Sequence, residues 1–151
     1  MAPAALLLVL ATPVATWWLV GDLSTVPLSS SPDYAFHPWP ISPAAARGAG
    51  IGSLLAATSM IGVLGWATLR HLLDLRWWAV LAPLLADGFI AGAGWRVMTA
   101  GGIGANIGAG FVILFGGPAF FLLLAWALAF SVHLLSRPRH ATTTTADPGT
   151  T

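Results

Sequence analysis

The chain contains no cysteine, no lysine and no glutamate, and only 7% of its 151 residues are charged. Without thiols, disulfides, thiolate metal sites and cysteine nucleophiles are all excluded. The scarcity of charge says more. A soluble domain carries about 25% Asp, Glu, Lys and Arg, and the six arginines and five aspartates present here cannot cover a water-facing surface. Lipid must supply much of the solvent. The exclusive use of Arg and Asp accompanies abundant Ala, Gly and Pro and carries no functional meaning of its own. A net charge of +1 gives no basis for binding nucleic acid.

What the chain has instead is apolar residues, 57% of the total, gathered in runs. A hydrocarbon layer of roughly 30 Å needs about 20 apolar residues to cross it as a helix. Four runs qualify, at about 4–20, 49–69, 77–96 and 109–135, and the last contains "FFLLLAWALAF". They predict an all-α polytopic membrane protein, a four-helix transmembrane bundle formed by residues 1–140. The stretch 21–48 between the first two runs holds five prolines and several serines, which no continuous helix tolerates. It is expected to be a loop. Residues 141–151, "ATTTTADPGTT", have nothing to bury and are expected to be a disordered polar tail.

The first run could be read as a cleaved leader, with "PVAT" as a weak small-residue site, but no Lys or Arg precedes it and it continues through Trp17 and Trp18. A retained span is expected. Orientation follows from the arginines. Arg70 and Arg76 follow the second span and Arg137 and Arg139 the fourth, against Arg47 and Arg96 singly in the other two connections. This bias places both termini in the cytoplasm and loop 21–48 outside, in a multi-pass protein of the cell membrane. Trp17, Trp18, Trp95, Trp77 and Trp78 fall at span ends, where interfacial anchors belong.

One carboxylate contradicts the apolar pattern. In "LLADGFIAGAGWR", Asp87 lies ten residues after Trp77 and eight before Trp95, so at about 1.5 Å per residue it falls near mid-depth. Insertion there costs about 2.5 to 3.5 kcal/mol, while each Leu, Ile, Phe or Val returns only about 0.3 to 0.6. Six such residues between the tryptophans merely cancel the Asp. The third span therefore depends on its neighbours. Gly88 and Gly92 offer a small face for close approach, and Thr58, Ser59 and Thr12 fall at similar depth in the first two spans. A mid-membrane polar layer is expected in which Asp87, neutral for want of a cation, donates to one of these hydroxyls. Arg96 stands about 13 Å along the same helix on the opposite face and is not its partner.

Two functions can be attached to such a group. Asp87 either glues helices together or serves as a proton or cation site in a channel or transporter protomer. A single carboxylate with no inverted repeat favours the first. The expected role is a structural, interaction or accessory component, without enzymatic activity or cofactor. Its expected partners are the lipid bilayer and a second copy or another membrane protein, associating through the small-residue faces of spans three and four.

Other motifs are weaker. "GGIGANIGAG" lacks both GK[ST] and G-x-G-x-x-G, so it predicts a tight turn or a close-packed helix start, with Gly104 and Gly108 as small residues and Asn106 as a helix cap. If Arg96 and Asn106 converge they could hold an anion, although a headgroup anchor suffices for Arg96. His71 and Asp74 lie beside Arg70 and Arg76, which argues against a metal. His133 is expected to snorkel near Arg137, and His37 with Tyr34, Phe36 and Trp39 to rest on headgroups. "GSLLA" is not G-x-S-x-G, so no nucleophile motif is recognisable, and although His37, the outer-loop aspartates and Ser29 to Ser31 could in principle assemble, nothing in their spacing requires it. An integral-membrane enzyme would need polar groups around a lipid-accessible cavity.

Overall fold

A computed structural model describes residues 1–24, 34–102 and 105–136, and among these the secondary structure is entirely helical. The elements are α1 (Ala2–Val20), α2 (Pro43–Leu69), α3 (Trp78–Met98), α4 (Ala105–Phe111) and α5 (Gly117–Ser136). A single 3₁₀ turn, Leu75–Trp77, leads into α3, and a π-helical turn, Val112–Gly116, joins α4 to α5. Four helical stretches are long and apolar enough to cross a membrane: Ala2–Val20, Pro43–Leu69, Leu75–Met98 and Ala105–Ser136. The expected tail, Arg137, Arg139, Ser29 to Ser31 and Gly104 lie outside the described residues.

The helices run alternately up and down and form an open row. α1 packs along both α2 and α3, and α5 packs along α3. Leu8, Leu64 and Leu81, one from each of the first three helices, form the apolar core near the end where α2 passes into α3. Two devices build that connection. His71, with φ of 57°, ends α2 in the left-handed conformation usually taken by glycine. Its N–H reaches the carbonyl of Thr68 at 3.0 Å while that of Leu72 reaches Ala67 at 2.9 Å. The Trp78 indole N–H then donates to the Thr68 hydroxyl at 2.9 Å, tying the start of α3 to the end of α2.

α2 begins six residues before the apolar run predicts. Pro43 occupies its first turn, where a missing N–H costs nothing. The Ser42 hydroxyl accepts from the Ala45 N–H at 3.2 Å, and alanines carry the helix to Arg47. The proline that marked the loop is thus also a helix start. The π turn has a comparable cause. Pro118 has no N–H to give to the carbonyl of Leu114, and a widened turn just before it accommodates the missing bond.

Candidate functional site

Asp87 is 5% exposed near the middle of α3. The glycines that follow it mark where α3 meets α1. A Cβ built on Gly88 would lie 3.0 Å from the Thr12 side chain and 3.1 Å from Pro13 Cδ, and one on Gly92 would collide with the Pro13 carbonyl oxygen. Gly88 and Gly92 therefore let α1 approach α3 closely at its Pro13 irregularity. This is the close-packing face expected from the sequence, and its occupant is α1.

The hydrogen-bonded layer is another matter. Among the described residues neither carboxylate oxygen of Asp87 has a hydrogen-bond partner. The Thr12 hydroxyl donates to the Leu8 carbonyl at 2.8 Å, and the Thr58 hydroxyl donates to the Leu54 carbonyl at 2.8 Å. Thr58 and Ser59 are exposed on the outer side of α2. Thr12 thus lies across the interface from Gly88, but all the expected hydrogen bonds to Asp87 are missing. The reason is physical: a Thr in a helix satisfies itself on the carbonyl four residues back. Equal depth, moreover, says nothing about which way a helix is rotated.

A second constellation forms at the opposite end of the molecule from the leucine core, where α1 and α3 end and α2 begins. Arg96, in the last turn of α3, donates from Nε to the Trp17 carbonyl at 2.8 Å, and its guanidinium lies 4.0 Å from the centroid of the Trp17 ring. Its Nη1 is 3.5 Å from Asp22 Oδ1. That same Oδ1 accepts from the Ser24 N–H at 2.9 Å and the Ser24 hydroxyl at 2.6 Å. These bonds, the Ser24 hydroxyl first, and the Arg96 charge beside them hold the Asp22 carboxyl below its ordinary value. Asp22 is therefore a carboxylate at neutral pH.

Local sequence makes this geometry. Gly21, with φ of 82°, turns the chain sharply out of α1 and brings Asp22 back over the helix end. The Gly101 N–H donates to the Leu23 carbonyl at 3.1 Å, the Phe36 N–H to the Met98 carbonyl at 3.2 Å, and the Tyr34 hydroxyl to the Ser24 carbonyl at 3.0 Å. The connections are thereby pinned to the end of α3. Trp39 meets Trp95 edge to face at 5.8 Å. Between these groups lies a cavity of about 320 Å³ whose charged lining residues are Asp22, Arg47 and Arg96.

Arg96 was a candidate from the sequence, but its partners are different from those expected. Asn106 is exposed in the first turn of α4, one residue inside a helix that begins at Ala105, so it does not hold the capping position. Asp22, Arg47 and the Trp17 carbonyl were not anticipated. A signal for them existed: in an up-and-down topology the end of span one, the start of span two and the end of span three share one side, and among the described residues Asp22, Arg47 and Arg96 are the charges found there. Among the described residues no group of three metal-ligating side chains assembles. No family model matches the chain, and no curated protein or solved structure is significantly similar to it.

Proposed function

We propose that the chain is a four-span integral membrane protein that works by association, as a structural or accessory component, and that its principal contact is a second copy bound through α2. The observation that carries this reading is an open small-residue face. Gly48, Gly52 and Gly62 have nothing within 4 Å of an added Cβ. At 100° per residue these glycines fall with Leu55 and Ser59 within about 80° of one another, and Leu55 is 64% exposed. Glycine in a helix costs about 1 kcal/mol relative to alanine, and lipid tails gain nothing from it. A second helix does, because it can approach the backbone closely.

The partner must be apolar over this length, since α2 bears no charge between Arg47 and Arg70. The same face of another copy meets that requirement, and a two-fold axis makes it self-complementary. The association surface is thus transferred from span three, whose glycines are filled by α1, to span two. Native mass spectrometry in lipid nanodiscs tests this. A dimer that becomes monomeric in Gly52→Leu, with unchanged thermal stability, supports the reading. A monomer in the parent protein at all loadings, or a dimer indifferent to Gly52→Leu and Gly48→Leu, defeats it. A stoichiometric foreign subunit would replace the second copy as the partner.

A second reading, proton or cation transport at Asp87, is favoured by the unsatisfied carboxyl group, since intramembrane acids often mark ion paths. It predicts flux in reconstituted vesicles that Asp87→Asn abolishes. Flux unchanged in that variant, or none in the parent, removes it. Asp87 does not line the Arg96 cavity, and for that reason association is preferred.

A further inference from the structure

The Arg96 cavity does not end at its charged groups. It shares Trp17, Trp39 and Ile41 with an apolar groove of about 480 Å³ that continues between α1, α2 and α3 past Val14, Ala49, Ala91 and Gly92. Across the width of one tryptophan the lining changes from Asp22, Arg47 and Arg96 to hydrocarbon alone. Among the described residues the charges do not balance, because two arginines line the cavity with one aspartate. Arg96 is engaged with Trp17 and Asp22, whereas Arg47 makes no hydrogen bond or ion pair among the described residues and is exposed at the cavity rim.

We infer that this cavity and groove form a binding site for a phospholipid with a net negative headgroup. The phosphodiester lies between Arg47 and Arg96, and one acyl chain enters the groove behind Trp17. Each part of the site selects a part of the ligand. Guanidinium groups bind phosphate oxygens in pairs and with charge assistance. The surplus positive charge disfavours a choline or ethanolamine ammonium, for which Asp22 is the sole counter-charge among the described residues of the cavity and is already held by Arg96 and Ser24. Trp17 lines both the cavity and the groove and gives its carbonyl to Arg96, an amphipathic arrangement suited to a headgroup boundary. A free phosphate would use the arginines and leave the groove unused. The inference does not depend on the α2 dimer or on Asp87.

Native mass spectrometry of the full chain released from detergent micelles tests it, with phosphatidylglycerol, phosphatidylcholine of the same acyl chains, and inorganic phosphate as probes. Phosphatidylglycerol should be retained about tenfold better than phosphatidylcholine, as expected for one charge-assisted contact. Millimolar inorganic phosphate should not displace it. Arg47→Gln should lower retention by about the same factor without changing thermal stability, because Arg47 makes no hydrogen bond or ion pair among the described residues. Asp22→Asn should raise retention by freeing Arg96, and Ala49→Leu should lower it by narrowing the groove. Equal retention of the two lipids, or an Arg47→Gln variant that behaves like the parent, overturns the site. Displacement by phosphate, or indifference to Ala49→Leu, overturns its assignment to a lipid.

Discussion

Two helices carry glycines at helical spacing, and the molecule treats them in opposite ways. On α3, Gly88 is filled by the Thr12 and Pro13 side chains and Gly92 by the α1 backbone at Pro13; on α2, Gly48, Gly52 and Gly62 face open space. Within α2 itself the contrast recurs, since Gly50, two residues from each of the open pair, is pressed against the Trp18 ring. Spacing alone therefore shows that a face is capable of close approach. Only the arrangement of neighbours shows whether the approach has been used inside the fold or is left for something outside it.

The comparison breaks most readily at Gly92. Leucine there would drive four carbons into a backbone carbonyl that has no rotamer to escape by, so Gly92→Leu should cost more than about 3 kcal/mol, beyond ordinary overpacking. Gly52→Leu should stay within about 0.5 kcal/mol. Thermal unfolding in detergent of the two variants side by side reads the difference. Similar losses for both would mean that the two faces are equivalent and that α2 is not open.

Asp87 sharpens the comparison from the polar side. A buried carboxyl group without partners costs about 1 to 3 kcal/mol, so Asp87→Leu should raise the unfolding free energy in denaturant by that order. A loss instead would show that the carboxyl has a partner in the working protein and would strengthen the transport reading. A smaller gain is expected at the α2 to α3 connection. His71 holds a left-handed conformation that costs a side-chain-bearing residue about 1 to 2 kcal/mol, and His71→Gly should recover up to about 1 kcal/mol in the same assay. A variant no more stable than the parent would show that the imidazole repays the strain elsewhere.

The smallest effect belongs to Asp22. Its carboxyl is held below its unfolded value of 3.8, so its contribution is complete above that value and fades as pH falls through the lower folded one. With its side chain 54% exposed, the contribution should stay below about 1 kcal/mol and shrink with salt. Unfolding midpoints of the parent and Asp22→Asn should differ slightly at neutral pH and converge as the pH falls below the folded-state value of the carboxyl.

Much of the fold was legible because long apolar runs have few alternatives: all four predicted runs lie within helical stretches of the structure. Their ends were less so. Pro43 and the alanines after it resemble loop by composition and helix by capping, and capping prevailed. The candidate site was legible in position but not in partnership. Asp87 stood out because a lone carboxylate among leucines has no innocent reading, yet depth could not reveal that Thr58 and Ser59 point away from it. Arg96 stood out too, whereas Asp22 and Arg47 were hidden in a proline-rich stretch, where pairing depends on how the helix ends are brought together.

The π turn at Val112–Gly116 has a consequence for how the fourth span tolerates change. One residue more than an α-helix requires is stored there, shifting every later side chain by about 100° around the axis relative to an unbroken helix. Phe111 and Phe121 therefore cannot be placed on a common wheel, and a substitution scan along α5 must be phased from Gly117 onward. The turn is also the place where length can be adjusted. A one-residue deletion within it would return the segment to regular helix while α4 and α5 each kept their existing faces on α3, whereas the same deletion inside α5 would turn its contact face away.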